Sequence, residues 1–163
     1  IRLGSISKKS NEKELQNIVN AWRSGGLKTE IYRNIEQLIW EKLLCNVTLS
    51  GPCSIFGCNV NELFNNQEYW NFALNCMQEA YSVGLSMGIP FSFEDPVAYV
   101  SDFAIRVGSA KPSMLQDYEN KKKTEIDFIN GAIPPLGAKS KIPTPFNDHV
   151  CRIIHEAERE IKS

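Results

Sequence analysis

Asn34-Ile35-Glu36-Gln37-Leu38-Ile39-Trp40-Glu41-Lys42-Leu43-Leu44-Cys45-Asn46 is the stretch on which the reading of this chain turns. Wound at roughly 100° per residue, it places Ile35, Leu38, Ile39, Leu43 and, one step further, Val47 on one stripe. Lys42 and Asn46 fall inside that stripe one turn apart, while Glu36, Gln37, Glu41 and Thr48 fall outside it. A buried ammonium is costly unless it is paired or used. Two polar groups stacked on an expected core face therefore point to a site, with a carboxylate or a polar ligand nearby.

The rest of the chain reads as helices around this one. Asn34 caps it, with Gln37 three residues on, and Ser50-Gly51-Pro52 is expected to break it after about Leu49. Upstream, Leu15, Ile18, Val19 and Trp22 keep helical spacing over Asn11 to Ser24, with Asn11 and Glu14 resembling a capping box and Gly25-Gly26 closing the end. Leu27 to Arg33 is an extended edge or a connector. Downstream helices are expected at Asn59 to Asn66, Gln67 to Met87, Phe93 to Val107 (capped near Asp95, with Pro96 in its first turn) and Pro112 to Asn120. Two more follow, Thr124 to Ile133, broken by Pro134-Pro135, and His149 to Ile161. The sum is an all-α helical bundle domain of about seven or eight helices.

With 163 residues, 42% hydrophobic and 23% charged, the chain suits one domain with a real core. A net charge of −1 gives no reason to expect nucleic acid or an anionic membrane as partner. Lys121-Lys122-Lys123 reads as a solvated helix end, or else as a phosphate-attracting run. The five cysteines lack paired zinc-like spacing, Cys53 and Cys58 having no following His at a ligand distance, so reduced thiols in a cytoplasmic protein and no metal site are expected. Asn46-Val47-Thr48 matches a glycosylation sequon, but inside a buried helix this is a coincidence. No apolar run is long enough to span a membrane. Ile1-Arg2-Leu3-Gly4-Ser5-Ile6 reads as the end of a strand from something longer, and no Gly-x-Gly-x-x-Gly appears.

Three further runs follow the opening stretch in order: Ser113-Met114-Leu115-Gln116-Asp117, then Thr124-Glu125-Ile126-Asp127-Phe128-Ile129-Asn130-Gly131, then Thr144-Pro145-x-Asn147. Together with Trp40-x-Lys42-x-x-x-Asn46, they resemble the C-terminal domain of ketopantoate reductases, also called 2-dehydropantoate 2-reductases, from about Lys28 to the C-terminus. The resemblance implies a fold like the C-terminal domain of phosphogluconate dehydrogenase. It implies NADPH-dependent reduction of ketopantoate to pantoate, a step of pantothenate biosynthesis on the way to coenzyme A. Residues 1–8 would be the remnant of a missing N-terminal nucleotide-binding domain, and 9–163 the helical substrate and catalytic domain. NADPH would be bound mainly by the missing domain, so the fragment alone would be inactive. A small keto acid would be the partner, and a homodimer is a further expectation.

The resemblance also assigns roles. Lys42 would be the general acid, donating a proton to the carbonyl oxygen as hydride arrives; burial and a neighbouring carboxylate would tune it. The alternative is a lysine whose stem covers the core while its head reaches water. Asn46, one turn on, would bind substrate, or else satisfy a neighbouring backbone. Ser50, a further turn along, stands where many family members carry a second substrate-binding Asn; it is shorter and has fewer donors. Ser113 would hold the substrate carboxylate, as N-cap, ligand or both. Glu125, expected on a helical face with Phe128, Ile129 and Ala132, would orient Lys42 and touch the nicotinamide side of the cofactor, or else be an exposed helix-start carboxylate. Asp127 reads as structural or exposed, Asn130-Gly131 suits a close helix crossing, and His149 and His155 read as exposed. Asn59 and Asn61 are both open as substrate ligands in the loop Gly51 to Asn61. Two other readings stand beside this one: a paralogous reductase of another alpha-keto acid or ketone, and a non-catalytic helical dimerisation module.

Overall fold

A proline inside a helix removes one backbone bond and crowds the preceding turn, so Pro52 was expected to end the helix that begins after Asn34. In the computed structural model, which describes residues 1–6 and 12–160, that helix instead runs from Ile35 to Phe56 (α2) with Pro52 inside it. The reason is enclosure. From Leu44 to Ser54 every residue but the half-buried Asn46 is buried, so packing on all sides outweighs the lost bond. Two hydroxyls are accommodated in that interior by bonding back one turn: Thr48 Oγ1 donates to the Leu44 carbonyl at 2.7 Å and Ser54 Oγ to the Ser50 carbonyl at 2.8 Å.

The chain groups into two compact units, 1–40 and 41–163. The boundary expected at residues 8 and 9 lies outside the described residues, as does the cap expected at Asn11. In the first unit, strand β1 (Arg2–Leu3) pairs in parallel with β2 (Glu30–Ile31), Arg2 opposite Glu30 and Leu3 opposite Ile31. Helix α1 (Glu12–Ser24) makes the crossover between them, as a parallel pair requires. Leu27 to Arg33 is thus partly strand. Of the stripe expected on α1, Val19 alone is buried; Ile18 and Trp22 are exposed.

The second unit holds the rest of α2 and helices α3 (Val60–Asn65), α4 (Gln67–Ser86), α5 (Pro96–Val107), α6 (Ser113–Glu119), α7 (Ile133–Ser140) and α8 (Pro145–Glu160). Among the described residues this is eight α-helices, and the fold is all-α apart from the small strand pair. No helix among them is long and apolar enough to cross a membrane. The starts follow side-chain chemistry. Asn59 and Glu62 form a reciprocal capping box on α3, Asn66 caps α4, and Asp95 caps α5 with Pro96 next. Pro134-Pro135 does not break a helix; it lies in the first turn of α7, where missing N–H groups cost nothing. The segment before it is not one helix but two 3₁₀ turns, Ile126–Phe128 and Asn130–Ala132, joined at Ile129 (φ −109°, ψ −95°).

The centre of this unit is polar. Asn130 and Asn147 are fully buried. Asn130 Nδ2 donates to the Val47 carbonyl of α2 at 3.1 Å and to Asn147 Oδ1 at 2.9 Å. Asn147 Nδ2 donates to the Cys76 carbonyl of α4 at 2.9 Å and to Glu79 Oε2 at 2.7 Å. The Glu79 carboxylate in turn accepts the Phe146 and Asn147 N–H groups at 2.8 and 3.0 Å, capping α8 from α4. Gly51 explains how α2 fits here. A Cβ at that position would overlap Asn130 Oδ1 and lie 2.6 Å from Val150 Cγ1, so glycine permits the close approach of the second 3₁₀ turn and α8.

All five cysteines are free, four of them buried. Burial raises each thiol above its ordinary value of 9.0; Cys45 is pushed up to about 11 and Cys151 to about 12.

Two outcomes follow from this packing. Gly51→Ala should lower the unfolding free energy by about 1–3 kcal/mol in urea titration, through overpacking against Asn130 and Val150; a variant as stable as the parent would contradict the close approach. Thiols whose folded values are raised stabilise fully below their unfolded value and lose that contribution as pH climbs through the folded one. The thermal midpoint should therefore carry no thiol-linked fall below pH 9.0, then drop as pH rises from 9.0 toward 11, with Cys45→Ser reducing the drop.

Candidate functional site

The stripe that drew attention to Lys42 is not the buried face of α2. Lys42 is exposed and Ile39 is 48% exposed, whereas Glu41 and Thr48, expected outside the stripe, are buried at 6% and 0%. The amphipathic reading failed because α2 has no single apolar face: its later turns are wrapped on all sides. Lys42 sits where that wrapping opens. Asn46 and Ser50 follow it at steps of four, so the three share one side of the helix, about 6 Å apart per step. Exposure falls along that line from exposed Lys42 through half-buried Asn46 to buried Ser50. The result is a graded polar strip that starts in solvent and ends in the core.

Glu41 is a residue that the sequence reading passed over. Its carboxylate accepts the Ser92 N–H at 2.8 Å, drawing the segment between α4 and α5 against the helix beside Lys42. Cys45, the next residue on that side, lies close to the Tyr99 side chain of α5. Neither contact had a local sequence signal, because both partners lie some fifty residues away.

Glu125 also differs from its expected setting. A helix would have put it on a face with Phe128, Ile129 and Ala132. In the 3₁₀ turn, residues three apart eclipse one another instead. Ile126 and Ile129 share the buried side, and Glu125 shares the open side with Phe128, which is 79% exposed. The turn is pinned on both flanks to α8. The Thr124 N–H and hydroxyl donate to Glu158 Oε1 at 2.8 and 2.7 Å, and Asp127 Oδ1 meets His155 Nε2 at 2.8 Å. Glu125 is thus an exposed carboxylate on a rigid support. Asp127, expected to be structural or exposed, is an exposed partner of His155, itself half-buried.

Ser113 is the first residue of α6 and exposed; the cap position is Pro112, so Ser113 does not cap the helix with its side chain. Asn59 is committed to its capping box, and Asn61 Oδ1 accepts from Asn65 Nδ2 at 3.0 Å, so both of these asparagines serve α3. Lys121, Lys122 and Lys123 are exposed. Among the described residues, no ion pair or hydrogen bond joins Lys42 to Glu125, and the side chains of Lys42, Asn46, Ser113 and Glu125 engage no such partner. Asn46 and the second 3₁₀ turn are brought together through the adjacent Val47 carbonyl, which Asn130 holds. Among the described residues, no group of three or more His, Cys, Asp or Glu is placed to hold a metal ion.

The arrangement has the chemistry of a substrate platform: an available ammonium, two uncharged hydrogen-bonding groups receding behind it, and a separate carboxylate on a pinned turn. Known proteins resemble the chain as a whole. Residues 34–158 match the family model described as "Ketopantoate reductase PanE/ApbA C terminal". The 2-dehydropantoate 2-reductase of Streptococcus pyogenes is 29% identical over 150 residues, covering 91% of this chain and 49% of that protein. The 2-dehydropantoate 2-reductase of Archaeoglobus fulgidus is 29% identical over 145 residues, covering 89% and 48%. The chain therefore spans about half the length of the curated relatives it matches. Among solved structures, D-mandelate dehydrogenase with NADH and anilino(oxo)acetate superimposes with a TM-score of 0.84 at 26% identity, covering 99% of this chain and 53% of that one. A putative 2-dehydropantoate 2-reductase from Enterococcus faecalis does so with a TM-score of 0.78 at 28% identity, covering 99% and 52%. With the family model matching residues 34–158, most of its length, this chain belongs to the ketopantoate reductase family, as that family's C-terminal domain.

Proposed function

We propose that this chain is the substrate side of an NADPH-dependent reductase of alpha-keto acids, with Lys42 as the general acid. The observation that carries the reading is the graded strip on α2: an exposed ammonium with Asn46 and Ser50 descending behind it. A keto acid has a carbonyl to protonate and a carboxylate to anchor, and the strip offers one cation and two hydrogen-bonding groups in line.

NADPH, when bound, supplies the hydride that adds to the carbonyl carbon. Lys42 Nζ gives its proton to the carbonyl oxygen and stabilises the charge that grows there. Asn46 and Ser50 hold the substrate's polar groups, and Ser113 takes its carboxylate. Glu125 contributes a carboxylate on the nicotinamide side; its pinned turn suits a group that must stay in place while cofactor comes and goes. This chain carries no glycine-rich phosphate loop, so most cofactor contacts belong to a nucleotide-binding domain, and the chain by itself does not turn over. Five unpaired cysteines fit a reducing compartment, the cytoplasm.

The relatives favour ketopantoate as substrate, with pantoate and pantothenate as the route served. A second reading, reduction of a different alpha-keto acid, is favoured by Ser50. It stands where many family members carry Asn, and the similarity to a D-mandelate dehydrogenase is as close as that to the reductases.

The complete protein should oxidise NADPH in the presence of ketopantoate, and Lys42→Ala should lower kcat by about 10²–10⁴-fold with folding and assembly unchanged. That loss would also exclude a purely structural dimerisation module. A Lys42→Ala variant with parental kcat would overturn the assignment.

A further inference from the structure

Beside the polar strip runs a line of aromatic rings that the reaction as described does not use. Tyr81 and Phe91 lie 4.9 Å apart between ring centres, Phe91 and Phe93 5.3 Å, and Phe93 stacks on Tyr99 at 4.1 Å with the planes 19° apart. All four are half-buried. The line is fastened to α2 by one hydrogen bond and meets it at a second point, both next to the polar strip. The Ser92 N–H donates to Glu41 Oε1 at 2.8 Å, which fixes Phe91 and Phe93 on either side, and the Tyr99 side chain lies close to Cys45. Glu41 and Cys45 are one turn apart and lie roughly 60–100° around the helix from Lys42. The rings therefore flank the strip rather than sit behind it.

Rings whose task is only to fill a core are normally enclosed, as Trp70 is here. A continuous run of four rings that stays partly open, alongside a row of polar groups, has the composition of a ligand site: mostly apolar wall, few polar anchors. Ser50 points the same way, since a shorter residue with fewer donors makes the strip less suited to a polar substrate tail.

We infer that Phe93 and Tyr99, backed by Phe91 and Tyr81, form a specificity wall that favours alpha-keto acids bearing an aromatic or other bulky apolar substituent. The inference rests on the reductase reading above: the carbonyl lies at Lys42 beside Asn46 and Ser50, the carboxylate at Ser113, and the substituent packs on the rings.

The test uses the complete protein with NADPH and two probe acids, phenylglyoxylate and pyruvate, comparing kcat/KM. The parent should prefer phenylglyoxylate by at least about tenfold, the scale of discrimination that apolar pocket contacts provide. Phe93→Ala should cut that ratio by about fivefold or more through KM for phenylglyoxylate, with Phe93→Leu, which keeps much of the apolar volume, falling between. If Phe93→Ala does not fold, Phe93→Leu carries the comparison with the parent. A parent ratio near one, or a ratio unchanged in the folded variants, overturns the wall and leaves the reductase standing. A parent that turns over no keto acid at all, ketopantoate included, overturns both.

Discussion

Asn130 donates its amide hydrogens to the Val47 carbonyl and to Asn147 Oδ1, and Asn147 donates its own to the Cys76 carbonyl and the Glu79 carboxylate. That pair is the joint of the helical unit. It ties α2 to the second 3₁₀ turn, and that turn to α4 and α8, where Val47, Cys76 and Asn147 are buried and Glu79 is half-buried. Removing either amide would strand buried acceptors, each costing about 1–3 kcal/mol. The joint also has a price of its own: Asn130 Oδ1 is buried without a partner among the described residues, pressed against the glycine that lets α2 come close. The satisfied donors of this buried network favour one arrangement of the helices, while the unpartnered oxygen works against stability.

The site depends on that joint by direct descent. Val47, held by Asn130, neighbours Asn46, so the rotation of α2 that sets the Lys42, Asn46 and Ser50 strip is fixed at the same point that fixes the 3₁₀ turns. Glu125 precedes those turns on a segment that α8 grips at Thr124 and Asp127. The helix is enclosed from Leu44 to Ser54, apart from half-buried Asn46, and open at Lys42, so a firmly held support lies below an accessible end.

Much of this was legible in the sequence, though in part for the wrong physical reason. Lys42 drew attention as an ammonium on a buried stripe, yet it is exposed; what the spacing Trp40-x-Lys42-x-x-x-Asn46 and the runs after it made legible was the family, whose model matches residues 34–158. Caps written in local chemistry were readable, as at Asn34, whose side chain accepts the Gln37 N–H at 3.2 Å, and at Asp95 with Pro96. Prolines misled wherever tertiary packing decided the outcome: Pro52 is carried inside an enclosed helix, and Pro134-Pro135 opens one. The period was misjudged at Glu125, where three residues per turn replaced 3.6. Asn130 and Thr144-Pro145-x-Asn147 were recognised only as motif; the geometry shows Asn130 and Asn147 as structural, which their sequence neighbourhoods could not reveal because Glu79 and Cys76 lie far away in the chain.

Chemical rescue tests the proposed role of Lys42 as proton donor most directly. Lys42→Ala in the complete protein would be assayed with NADPH and its best keto acid while small primary amines of graded basicity are added. The account predicts that the amines restore turnover in proportion to concentration, with rates that follow ammonium acidity once size is allowed for. A folded variant that still binds substrate, yet gains nothing from any amine, would contradict the assignment of Lys42 as the acid.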